Sequence, residues 1–241
     1  MDYENVLIII EDDGRESILP LEDGSVDGMK IDVIGKNNKV RITRRQKFVG
    51  CQLNIHGDRN TLEIEASLKP VHHSLFHFSP TGNDRVIKIG SGFSGIGHFR
   101  VVEDNSYIHL GNDCMFSWDV TVMASDYHTI YDKTGQVLNK AAGGVTLGNN
   151  IWVGCKSTIL KNTQIGNGSI VGACSVVTRQ FKDENCVLAG NPAKIVKRDI
   201  RWSRASPDKA PTIAALETPD IEKEIPKKWR IFLQKIGIIK A

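Results

Sequence analysis

Residues 147–181 read LGNNIW VGCKST ILKNTQ IGNGSI VGACSV VTRQF, and this stretch decides the fold. An aliphatic residue recurs at every sixth position, at Leu147, Val153, Ile159, Ile165, Val171 and Val177, with none skipped. Four residues after the first five anchors stand Ile151, Ser157, Thr163, Ser169 and Ser175, mostly small and hydroxylated, and Gly148, Gly154, Gly166 and Gly172 directly follow four of the anchors. A period of six is neither the 3.6 of an α-helix nor the alternation of a long strand, so the backbone must turn once per hexad. Three turns close a triangular coil whose rungs stack at about 4.8 Å. The expected fold class is therefore all-β: a left-handed parallel β-helix of hexapeptide repeats, with an excursion loop and a C-terminal helical tail. Anchors point inward, small residues sit at the corners, and Gly or Asn supplies the backbone angles that other residues resist. A β-sandwich of short strands is the competing fold, and six consecutive hexads argue against it.

Outward from this stretch the pattern frays. Val102–Tyr107, Leu110–Met115 and Phe116–Thr121 keep it with one shift of register, and the segments from Ile34, Ile55 and Ile87 read as coils of irregular length. The expected organisation is an N-terminal cap over 1–33, the β-helix over 34–190 with a loop at 123–144, and a basic C-terminal extension over 191–241. In the extension, Trp229, Phe232, Leu233 and Ile236 stand at helical spacing. Pro207, Pro211 and Pro219 mark loose structure before that helix.

Composition narrows the class. With 40% hydrophobic and 24% charged residues the 241-residue chain reads as globular, and it is long enough to bury a core without disulfides or metal. No apolar run is long enough to span a bilayer, and no basic start precedes an apolar stretch, so a cytoplasmic protein without a transmembrane segment is expected. The five cysteines contain no CxxC pair, which fits reduced thiols better than a disulfide framework or a zinc ribbon. Residues 194–241 hold twelve Lys or Arg against six Asp or Glu. Without base-stacking motifs or a recognition helix, this basic excess suits a small phosphate ligand or a solvated face better than nucleic acid.

Between Val122 and Val145 the hexads stop, and MASDYHTIYDKTGQVLNKAAGG is inserted. Insertions in a solenoid commonly carry function. This one holds His128, with Ser125, Asp126, Tyr127, Tyr131 and Asp132 near it in sequence. An imidazole suits reversible proton transfer near neutrality, and a carboxylate on one ring nitrogen would fix its tautomer. An isolated histidine in a polar loop is more often incidental, so context must decide.

The hexads, the loop segment SDYHTIYD, the run VTLGNNIWVGCKSTILKNTQIGNGSIVGACSVVT and the terminator LAGNPAKIVK together resemble the hexapeptide-repeat acyltransferases. Within that family the branch most similar contains galactoside and maltose acetyltransferases and the O-acetyltransferases of capsular or lipopolysaccharide sugars. The resemblance is close over 102–198, weaker over 34–101 and absent at both ends. It implies a homotrimer whose active sites lie between subunits, acetyl-CoA as co-substrate, no metal, and the loop histidine, here His128, as general base. It also carries cofactor contacts onto Trp152, Cys155, Ala173, Thr178, Arg179, Lys194 and Lys197. Where the family pattern has Ser and Arg, this chain has Cys155, Lys194 and Lys197; lysine still neutralises phosphate, without a bidentate fork. Arg198 completes a basic cluster where the coils end, and Gly154, Gly172 and Ala173 leave room for an extended thioester arm.

Direct transfer of acetyl to a hydroxyl of a sugar or surface-glycan precursor is the expected reaction, with Asp126 as the candidate for orienting His128 and Asp132, Asp119 and Glu103 as alternatives. An amino group on a nucleotide-sugar is the nearest alternative acceptor. The segment 60–100, with His72, His73, Phe76, His77, Phe78 and His98, reads either as an acceptor-site lining or as irregular trunk. Two other classes compete: a zinc hydratase using His98, His109 and His128, whose surroundings do not fit, and a sugar-binding scaffold without catalysis.

Overall fold

The computed structural model describes residues 3–67, 69–140 and 143–209. Two units divide the chain, Met1–Ile200 and Arg201–Ala241. The first is a three-sided left-handed parallel β-helix. Its first face stacks Val6–Ile10, Lys39–Thr43, Thr61–Ile64, Val86–Ile89, Tyr107–Leu110, Val145–Leu147 and Gln164–Ile165 in parallel. The second face comprises Phe48–Val49 and Val71–His72, then Met115–Phe116, Trp152–Val153, Ile170–Val171 and Val187–Gly190, with Ser94 bridging to Met115. Met29–Ile34, Cys51–His56, Leu75–Phe78, Gly97–Val101, Val120–Met123, Thr158–Ile159 and Val176–Val177 form the third. The chain runs first, second, third and back to first.

The anchors do what their spacing requires. Leu147, Val153, Ile159, Ile165, Val171 and Val177 are at most 1% exposed. Ser157, Thr163, Ser169 and Ser175 are buried at the corners, where the Ser157 hydroxyl donates to the Gly172 carbonyl at 2.9 Å and Ser175 Oγ accepts from the Gly190 N–H. Each such hydroxyl replaces a ladder bond that the bend would otherwise leave unmade. Wider coils upstream are filled by rings: Phe76 stacks on Phe99 at 5.3 Å, and Phe93 meets Phe116 edge-on at 5.3 Å.

The glycines after the anchors serve a purpose other than the expected one. Gly148, Gly154, Gly166 and Gly172 are absent from the residues with positive φ; the left-handed conformation recurs instead at Asn150, Lys156, Asn162, Gly168 and Cys174. A Cβ on Gly154 would lie 2.5 Å from the Ala173 nitrogen of the next rung, and one on Gly148 2.5 Å from Asn167 Oδ1. Gly148, Gly154 and Gly166 are glycine because neighbouring rungs touch there.

Within residues 1–33, Val6–Ile10 pairs in parallel with Lys39–Thr43, and Met29–Ile34 with Cys51–His56, so both belong to the stack. Glu16–Pro20 alone turns back, antiparallel to Val6–Ile10, at the outer edge. At the other end Ala193–Lys197 folds antiparallel onto Val187–Gly190. In the second unit a 3-10 turn spans Pro207–Lys209; the helix expected around Trp229 lies outside the described residues.

A guanidinium occupies the core. Arg85 is fully buried and donates to the carbonyls of Ser79 (2.6 Å), Val102 (3.1 Å) and His56, and to Asn60 Oδ1 (2.9 Å). Asn60 and Asn38, also fully buried, continue this polar column to Asn5. Burial lowers the Arg85 pKa to about 10.

Candidate active site

The excursion leaves the third face after Met123 and enters the first face at Val145, at the corner between them. It folds back on itself: Tyr131 bridges Val137 antiparallel, and the Leu138 N–H donates to the Ile130 carbonyl at 2.8 Å. Asp132 closes its tip, its Oδ1 accepting from the N–H groups of Thr134 and Gln136. Hydrogen bonds at that carboxylate hold it below the ordinary value, Thr134 first among them. Asp132 therefore builds a turn.

His128 sits at the base of this hairpin, exposed, beside a cleft of about 660 Å³. The cleft opens between the loop and the turn Val102–Ser106, with Glu103, Asp104, Asn105, Tyr127, Tyr131 and Asn139 among its lining. Two clamps fix the histidine's backbone. In one, the fully buried Ser125 hydroxyl donates to Glu103 Oε1 at 2.6 Å and accepts from the Tyr127 N–H at 2.8 Å, holding Tyr127 at a φ of 61°. In the other, Asn139 Nδ2 donates both to the His128 carbonyl (2.8 Å) and to Asp126 Oδ2 (2.9 Å), and Lys161 Nζ lies 2.5 Å from that same oxygen. Burial works against ionisation of Asp126, but the hydrogen bonds from Lys161 and Asn139 more than offset it and leave its pKa below the ordinary value. Asp126 thus engages Lys161 and Asn139, and no hydrogen bond to the imidazole occurs among the described residues.

Lys161 is the residue that sequence reading missed. Thr158 and Ile159 stack directly on Thr121 and Val122, so Lys161 occupies the next rung of the corner from which the loop departs. Its position within the hexad Ile159–Gln164 marks it only as a surface lysine; the contact arises from stacking.

The residues carried over as cofactor contacts fall on two corners. Cys155 and Ala173 lie where the second face turns into the third, on consecutive rungs joined by the Cys174 N–H to the Cys155 carbonyl at 2.9 Å. Trp152 stands on the outer side of the second face, in register with Met115 and Ile170. Lys194 and Lys197 are exposed on the closing strand of that face. Thr178 and Arg179 stand on the loop's corner, the Arg179 guanidinium 5.1 Å above the Phe181 ring. Arg198 is engaged by Asp183 at 2.6 Å. Arg179, Lys194 and Lys197 are exposed, and so is Ala173.

Phe76 and Phe78 are fully buried, so the 60–100 segment is trunk; among the described lining residues only Thr81 comes from it. Among the described residues no three His, Cys, Asp or Glu side chains are grouped to hold a metal ion, and His98 and His109 lie on different faces.

Residues 144–179 match the family described as bacterial transferase hexapeptide (six repeats). A polysialic acid O-acetyltransferase of Neisseria meningitidis is 33% identical over 177 residues, which cover 73% of this chain and 80% of that protein. The chain belongs to the hexapeptide-repeat acetyltransferases. A second relative in this family, a polysialic acid O-acetyltransferase of Escherichia coli O1:K1 / APEC, is 35% identical over 126 residues, 52% of this chain; the match spans only 38% of that relative's length. The crystal structure of the polySia specific acetyltransferase NeuO superposes with a TM-score of 0.67 at 28% identity, covering 98% of this chain and 95% of that one. The family's solenoid therefore extends through the frayed upstream coils as well as the regular hexads.

Proposed function

We propose that this protein is an acetyl-CoA-dependent O-acetyltransferase acting on a sugar or surface-glycan precursor, with His128 as the general base. The observation that carries this reading is the doubly clamped histidine at the mouth of the 660 Å³ cleft. Relatives that acetylate polysialic acid support a glycan as acceptor.

In the reaction the His128 imidazole takes the proton from an acceptor hydroxyl as its oxygen bonds to the acetyl carbon. The carbon–sulfur bond then breaks, and the proton passes to the departing CoA thiolate. No covalent enzyme intermediate is needed. Asp126 acts as a positioning residue: through Asn139 and Lys161 it holds the backbone that carries His128. Acetyl-CoA would lie between two copies of a homotrimer, with Cys155, Ala173, Lys194 and Lys197 from one copy and Thr178 and Arg179 from its neighbour. Trp152 would flank the arm. The split of these residues between two corners supports that assembly. Free rather than paired cysteines suit a cytoplasmic setting.

The test is release of free thiol from acetyl-CoA with a panel of sugars. His128→Ala is expected to lower kcat by about 10²–10⁴-fold, the usual share of general base catalysis. An unchanged rate in that variant would refute the assignment.

A further inference from the structure

Glu103 is exposed on the turn between the third and first faces and lines the cleft beside His128. Its Oε1 is committed to the buried Ser125 hydroxyl at 2.6 Å, whereas its other oxygen has no partner among the described residues. A carboxylate only accepts hydrogen bonds, so whatever meets that oxygen must donate. Asp104, next to it and also lining the cleft, gives one oxygen to the Asn83 N–H at 2.7 Å. Against these two carboxylates the described lining sets Lys140 and the His128 imidazole. A sugar carrying its own carboxylate would bring a third negative charge into this wall, whereas ring hydroxyls would satisfy it. Tyr127 and Tyr131, 41% and 60% exposed, present rings against which the C–H face of a sugar can pack.

We propose that Glu103 is the acceptor-reading residue: one of its oxygens holds the histidine turn through Ser125, and the other accepts a hydrogen bond from a ring hydroxyl of an acceptor sugar that bears no carboxylate there. This rests on the acetyltransferase reading above and departs from the polyanionic acceptor of the relatives. Acceptor binding and histidine placement then share one side chain. An acceptor that engages Glu103 tightens the turn that delivers the base.

Glu103→Gln separates the two duties, because its amide oxygen can still accept from Ser125 while its NH2 replaces an acceptor with a donor on the cleft side. With the full-length protein, thiol release is measured against maltose, lactose, dextran and polysialic acid. The wild type is expected to use at least one of the neutral sugars and to leave polysialic acid unmodified. Glu103→Gln is expected to raise the KM for that sugar by about tenfold or more with the KM for acetyl-CoA unchanged. Glu103→Ala, which also loses the clamp, is expected to lower kcat in addition. A wild type that prefers polysialic acid, or a Glu103→Gln variant with an unchanged acceptor KM, would overturn the proposal. If no sugar elicits thiol release, the acetyltransferase reading fails instead, and calorimetric titration of the same sugars into wild type and Glu103→Gln then decides: weaker neutral-sugar binding in the variant supports the proposal, and equal or absent binding overturns it.

Discussion

Lys161 Nζ lies 2.5 Å from Asp126 Oδ2, so a residue on one rung of the coil holds the loop that leaves the rung before it. The same ammonium donates to the Asn139 carbonyl, and Asn139 in turn holds the His128 carbonyl. Removing it with Lys161→Met is expected to lower kcat by about tenfold, while thermal stability changes little because the loop is peripheral to the core. A double-mutant cycle with Asp126→Asn, read in kcat/KM, is expected to give a coupling of about 1 kcal/mol, modest because both groups retain contact with water. Strictly additive effects would show that the contact does not support the loop.

The same clamp sets a pH response. The Asp126 pKa is lowered in the folded protein, so the clamp is complete above the ordinary carboxylate value of about 3.9 and is lost as pH falls through the lowered one. Hydrogen exchange of the amides at Ile130 and Leu138, corrected for intrinsic rate, is expected to stay slow from neutrality to about pH 4 and to accelerate below it. Asp126→Asn is expected to lack that acid transition.

Contact between rungs leaves no space at the glycine corners. Gly154→Ala places a methyl 2.5 Å from a backbone nitrogen that cannot yield, and is expected to destabilise the coil by about 1–3 kcal/mol in chemical denaturation. Ala173→Gly, at an exposed position on the next rung, is expected to cost about 1 kcal/mol or less.

Arg85 joins the upstream coils to the wall of the cleft, since Val102, whose carbonyl it holds, precedes Glu103. Arg85→Met keeps much of the volume but strands the carbonyls of Ser79, Val102 and His56, and is expected to cost about 3–5 kcal/mol. A loss below 1 kcal/mol would mean that water takes over these bonds.

The regular rungs were legible because each stacks eighteen residues after the last, as Trp152 on Ile170 and Thr158 on Val176. Upstream, the stacked partners Val40, Leu62, Ile87 and Ile108 are separated by longer, unequal intervals, so no fixed period exposes them. The loop and its histidine were legible as an interruption of the hexads. Their supports were hidden because Ser125–Glu103 and Asp126–Lys161 are contacts between rungs, set by a register that only the folded coil defines. Corner torsions are hidden for a related reason: left-handed φ falls on Lys156 and Cys174 as readily as on Asn150, so residue type does not mark it. Arg85 gave no signal, since a charged side chain in sequence reads as surface.

The most direct measurement is the structure of the assembled protein with CoA bound. The thiol is expected to lie roughly 4 Å from the His128 ring, a distance at which a proton can be relayed to it. The pantetheine arm is expected in a seam between two copies, against Cys155 and Ala173 of one and Thr178 of the other. A cofactor bound within a single copy, or a thiol 10 Å or more from every His128, would contradict the account.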